Sequence, residues 1–124
     1  MTSRDLWKSF VDSFAKLHDG VHRNWVVERG HYPDVNENKE TNTLLAELSF
    51  EQRKVLAEML VEARSGGVHD ALVVLNDRMA LRNGRYTEGE IQMEFQPFGS
   101  ELYYDYVCRQ AGEEWPSDDD QPRL

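Results

Sequence analysis

Ser49-Phe50-Glu51-Gln52-Arg53-Lys54-Val55-Leu56-Ala57-Glu58-Met59-Leu60, followed by Ala63 and by Ser65-Gly66-Gly67, is the stretch that decides the fold. Ser49 and Gln52 match a capping box: the hydroxyl accepts from the Gln52 amide, and the Gln52 side chain reaches back. Leu56, Met59, Leu60 and Ala63 then recur at helical spacing on one face. Ser65-Gly66-Gly67 predicts a stop, because glycine readily enters the left-handed conformation that ends helices. A helix with one apolar stripe must bury it against a neighbour, so a helical architecture follows.

Reading outward, Val68, Leu72, Leu75 and Met79, widened by Ala71 and Val74, predict a further helix to about Arg82. Asn83-Gly84 is a turn signal. Arg85 to Glu90 suits a tight hairpin, and Ile91, Met93 and Phe95 alternate with Gln92 and Glu94 as in a short strand. Ser100 can cap a helix that starts after it. Leu102, Tyr103, Tyr106, Val107 and Gln110 share a helical face up to Gly112, although Tyr and Val also favour strands. Upstream, Leu6, Phe10, Phe14, Leu17, Val21 and Trp25 predict a long amphipathic helix capped by Ser3, with a bend or break at Gly20 and an end at Gly30 and Pro33. Residues 31–41 form a polar connection, and Thr41 or Asn42 can cap a short helix through Leu48. The expected fold is mainly α: four to five helices packed around one core, with a small β-hairpin near residues 85–95. Residues 1–116 are expected to form a single globular domain, and residues 117–124 an acidic, disordered tail.

Composition bounds the function. The chain has 124 residues, the size of one ordinary domain, and a net charge of −9. Such a surface repels nucleic-acid phosphate and anionic lipid. The longest apolar run, Ala71 to Leu75, is far short of the roughly 18 residues that span a bilayer. Met1-Thr2-Ser3-Arg4-Asp5 shows no basic segment leading into an apolar one, so a cytoplasmic location without a signal peptide is expected. One cysteine, Cys108, implies no disulfide framework. Its surroundings are acidic, which disfavours a thiolate, so it reads as a packing residue.

Two groups of residues could hold a divalent metal. His18 and His22 stand i, i+4, a spacing that helical metal sites use, with His31, His69 or Asp70 available as further ligands. The His69-Asp70 doublet also occurs in metal-dependent phosphohydrolases. Against this, Gly20 interrupts the histidine pair, and Asp70 in the first turn of a helix is favoured by the dipole alone. No glycine-rich phosphate loop, nucleophile elbow or cysteine-rich zinc spacing is present, so an enzyme is the less favoured reading.

The most unusual composition lies between Tyr86 and Pro122. Ten acids stand there against one base, Arg109, interleaved with Tyr86, Phe95, Phe98, Tyr103, Tyr104, Tyr106 and Trp115. Rings that anchor and carboxylates that steer suit an interface with a basic protein. On a helix over 101–111, Tyr104 projects to solvent with Glu101 and Asp105. These three and Trp115 are the candidate partner-binding residues.

At Gly66-Gly67-Val68-His69-Asp70-Ala71-Leu72, and again at Tyr104-Asp105-Tyr106-Val107-Cys108-Arg109 through Gly112-Glu113-Glu114-Trp115-Pro116, the chain resembles a family of small uncharacterised bacterial proteins, a domain of unknown function. The resemblance covers most of residues 45–116. It implies a bacterial, single-domain protein and carries no activity. The leading expectation is therefore a non-enzymatic cytoplasmic protein-binding module, immunity-like or regulatory, that masks a basic partner. The alternatives are a metal-dependent hydrolase using His18, His22, His69 and Asp70, and a homo-oligomer, such as a dimer, whose aromatic patch is self-complementary.

Overall fold

The computed structural model describes residues 1–17 and 20–117. It is mainly α, 65% helical, with one small antiparallel hairpin. The described residues group into two compact units. Residues 1–17 and 67–117 form one, and residues 20–66 form the other. Among the described residues no helix is long and apolar enough to cross a membrane.

Helix α1 spans Ser3–Ala15. Its cap is Thr2 rather than Ser3, which is the first helical residue. The Thr2 hydroxyl accepts from the Asp5 amide, and the Asp5 carboxylate accepts from the Thr2 amide, each at 3.0 Å. That backbone bond, and then the hydroxyl, hold the Asp5 carboxyl below its ordinary pKa. Its contribution to the helix start is present above the ordinary carboxylate range and is lost as pH falls through the lowered value. The helix ends well before Trp25, where the apolar stripe had been expected to run. Its last residue is Ala15 and Lys16 is its C-cap; beyond it Leu17 and Val21 are about half exposed, and Gly20 takes a positive φ of 77°.

In the unit that ends at Gly66, a π-helical segment spans Asn24–Arg29 and stops at Gly30, whose φ is 75°. A 3-10 turn, Asn36–Asn38, leads into α2, Lys39–Glu47. Asn42 lies within α2 and does not cap it. Its side chain accepts from the Tyr32 amide at 2.7 Å and donates to the Tyr32 carbonyl at 3.2 Å, which ties the preceding loop down. Val26, Leu45 and Ala57 form this unit's core, with Val27, Tyr32, Leu48, Leu56 and Leu60 packed around it. Arg53 donates to the Val26 carbonyl at 3.2 Å, and Arg23 pairs with Glu58.

Helix α3, Phe50–Arg82, begins at the expected capping box: Gln52 donates its amide to Ser49 Oγ at 3.1 Å, and its side chain accepts from the Ser49 amide at 2.9 Å. It does not stop at Ser65-Gly66-Gly67. Neither glycine adopts a positive φ, and the helix continues for 33 residues in all. Glycine allows a left-handed stop without compelling one. Here good helix formers on both sides, among them Met59, Leu60, Glu62, Ala63 and Arg64 before the glycines and Ala71 and Leu72 after them, carry the ladder across. The two predicted helices are therefore one.

In the other unit, β1 (Thr87–Glu88) pairs with β2 (Ile91–Gln92) in the register Thr87 to Gln92 and Glu88 to Ile91. Gly89 supplies the positive φ at the first position of the two-residue turn. The predicted alternation points Ile91, Met93 and Phe95 into one core with Leu6, Trp7, Val11, Leu72, Met79, Phe98, Leu102 and Tyr106. Residues Leu102–Gln110 form helix α4, not a strand. Ser100 does not cap it; the Leu102 amide is taken by Asn76 of α3 at 3.0 Å.

An alanine Cβ at Gly66 or Gly67 would meet nothing within 4 Å. Each glycine in a helix interior costs about 1 kcal/mol against alanine. Gly66→Ala and Gly67→Ala should therefore each stabilise the protein by about that amount, read from urea unfolding followed by circular dichroism. A loss of stability would mean that the helix has to yield at these positions.

Candidate functional site

Asp105 is the polar centre of the unit that contains α1 and α4. Its place in the first turn of α4 suits a carboxylate, because the helix dipole is positive there. The residue is 0% exposed. It accepts from the Trp7 indole Nε1 at 2.9 Å and from Ser100 Oγ at 2.6 Å. Burying a carboxylate is costly unless donors replace its water. Among the described residues no buried side-chain nitrogen or oxygen lacks a hydrogen-bond partner.

Two more side chains fasten the same region. Asn76 Oδ1 accepts from the Leu102 amide and, at 3.4 Å, from Gln96 Nε2. Asp12 of α1 accepts from Arg109 Nε at 2.7 Å and from Trp115 Nε1 at 3.1 Å. The Trp115 ring lies 5.4 Å from Phe98, and the Arg109 guanidinium sits over it at 5.1 Å.

This arrangement divides the four expected partner-binding residues. Asp105 was expected to face solvent and is instead sealed inside, because its position on the helix falls between those of buried Leu102 and Cys108. Trp115 is half-buried and clasped by Asp12. Tyr104 remains at the surface, 48% exposed, and Glu101 is partly exposed one turn before it. Val107 was expected to face the core and is 49% exposed, one turn after Tyr104. Glu88, Glu90, Glu113 and Glu114 are exposed. Arg109, the single base from Tyr86 to Ser117, is held by Asp12. Glu94 of that segment pairs with Arg4 of α1 at 3.2 Å.

A cleft of about 250 Å³ opens in the same unit, and the sequence did not signal it. Buried Met79, Met93 and Leu102 floor it, and Phe10, Leu75 and Tyr86 wall it. The Phe10 and Tyr86 rings are 4.8 Å apart. Arg78 and Arg85 also line it. Arg85 Nη1 donates to the Met79 carbonyl at 2.9 Å and the Gly84 carbonyl at 2.6 Å, and its guanidinium lies 5.1 Å over Phe95. The Tyr86 hydroxyl donates to Glu88 at 3.2 Å, and this bond is the main reason that its pKa is raised.

The histidines fall in separate places. His18 lies outside the described residues. His22 belongs to the unit ending at Gly66, with Nδ1 2.9 Å from the Tyr32 hydroxyl and its ring edge-on to Trp25 at 6.0 Å. Burial raises the Tyr32 pKa. His31 Nδ1 lies 3.2 Å from the Arg29 carbonyl. His69 and Asp70 belong to the other unit. His69 Nδ1 is 3.8 Å from Asp70 Oδ1, and its ring stands edge-on to Tyr103 at 5.3 Å. Among the described residues no group of three His, Cys, Asp or Glu side chains comes together to hold a metal. Cys108 is buried and forms no disulfide.

Removing a partner of a buried charged acceptor costs about 1–3 kcal/mol. Trp7→Phe deletes the donor to Asp105 and, since phenylalanine is the smaller ring, also leaves a cavity at a fully buried position, so it should lower the unfolding free energy by at least that much. Urea denaturation measures it. An unchanged midpoint would show that the Trp7–Asp105 bond carries no stability.

Neither the comparison with curated proteins nor that with solved structures finds a match. One family does match, over residues 1–117, which takes in both units and every described residue of the α1–α4 site. The chain belongs to that family, DUF6547, a family of unknown function.

Proposed function

We propose that the protein is a non-catalytic, cytoplasmic binding module, immunity-like or regulatory, whose α4 face docks on and masks a basic partner protein. The observation that carries this reading is the pair Tyr104 and Val107, one turn apart and each about half exposed on a helix whose other side is locked by Asp105. A half-exposed tyrosine beside an apolar neighbour is the kind of anchor that dominates interface energies. Glu101 flanks the pair, and Glu113 and Glu114 follow it closely in the chain. Carboxylates at an interface rim speed the encounter with a basic surface and make binding sensitive to salt. The same charge, −9 over the chain, disfavours nucleic acid and anionic membrane as partners. The rigid backing of α4 also favours binding, because little order has to be created on docking.

The test compares the wild-type protein with the double variant Tyr104→Ala, Val107→Lys, each immobilised and exposed to host lysate at low salt. The wild type should retain one basic protein and release it as salt rises. The double variant should retain it at least tenfold more weakly, with an unchanged thermal melt, because both side chains are exposed. Equal retention by the two proteins would remove α4 as the docking face. Retention that ignores salt would remove the electrostatic part.

A further inference from the structure

The cleft beneath Phe10 and Tyr86 has a composition that the α4 face does not use. Its floor is apolar and adaptable, since Met79 and Met93 are unbranched and can adjust to an inserted chain. Yet two arginines line it in a chain with 23 acids and 14 bases. Among the described residues no carboxylate pairs with Arg78 or Arg85. Glu88, two residues beyond Tyr86, is bonded to the Tyr86 hydroxyl instead. Arg85 is fixed by two carbonyl oxygens and by the Phe95 ring, so its charge is held in place without being neutralised by an anion. Arg78 is exposed one helical turn from Leu75, at the edge of the apolar wall.

An apolar cavity with two arginines among its lining residues is complementary to an amphipathic anion. A cavity of about 250 Å³ is smaller than a typical drug-sized pocket, which limits the apolar part to one short chain or one ring. We infer that this cleft binds a small apolar monocarboxylate, with its hydrocarbon between Phe10, Leu75, Met79 and Met93 and its carboxylate at Arg78 and Arg85. The inference does not rest on the α4 face, which is built from other residues.

The probe is octanoate, titrated into the full chain while the methyl resonances of Met79 and Met93 are followed by NMR. Both should shift and saturate. Octanol and octylamine, which keep the chain and remove or reverse the charge, should bind at least tenfold more weakly to the unaltered protein. Arg78→Gln, at an exposed position, should bring octanoate down to the octanol level while leaving octanol binding unchanged. Octanoate that leaves both methyl resonances in place would overturn the inference. So would octanol binding as tightly as octanoate, or an Arg78→Gln protein that binds octanoate as well as the wild type.

Discussion

A single buried carboxylate orders the unit built from α1 and α4. Asp105 has no access to water, so the fold must give it donors or lose several kcal/mol to an uncompensated charge. One donor, Trp7 of α1, comes from the far end of the chain, and another, Ser100, from the loop just before α4. A displacement of α4 along its axis, or a rotation of one residue about it, would separate these groups. The apolar residues around them tolerate such sliding far better, because dispersion contacts have no fixed direction. The carboxylate therefore specifies register, while Leu6, Leu102 and Tyr106 supply the bulk of the burial.

Asn76 and Asp12 extend that logic. Asn76 presents one oxygen to the exposed backbone amide at the start of α4, a task that the residue at the cap position does not perform. Asp12 gathers Arg109 and Trp115 and so fastens the chain beyond α4 to α1. With the inner side of α4 committed in this way, Tyr104 and Val107 are left outward. A face with rigid backing, exposed anchors and neighbouring acids suits recognition.

Much of the fold was legible in the residues. The Ser49–Gln52 capping box is local, involving four successive residues, and it forms as read. The alternation of Ile91, Met93 and Phe95 and the Gly89 turn are likewise set by neighbours. Errors arose where local chemistry permits two outcomes. Gly66-Gly67 can end a helix or be carried through one, and the flanking helix formers decide. Thr2 and Ser3 are both competent caps, and the partner three residues on, Asp5, selects Thr2. A helical face centred on Leu102, Tyr103, Tyr106, Val107 and Gln110 turns Asp105 outward, whereas the buried arc is rotated to Leu102, Asp105, Tyr106 and Cys108. Tyr and Val suit either side of a helix, and a buried tryptophan's need for an acceptor is the signal that places the carboxylate inside.

The sequence by itself determined the helical class, the hairpin and its turn, the acidic balance of the final third and the inward alternation after Gly89. These depend on propensity, periodicity and charge, which act over a few residues. Only the tertiary structure decided that Trp7 meets Asp105 and that Asn76 caps a helix 26 residues away. It also decided that Phe10, Leu75, Met79, Tyr86 and Met93 enclose a cleft beside two arginines. Each of these joins residues with no local reason to meet. Their pairing follows from how the helices bury their apolar faces, and no short stretch of sequence encodes that.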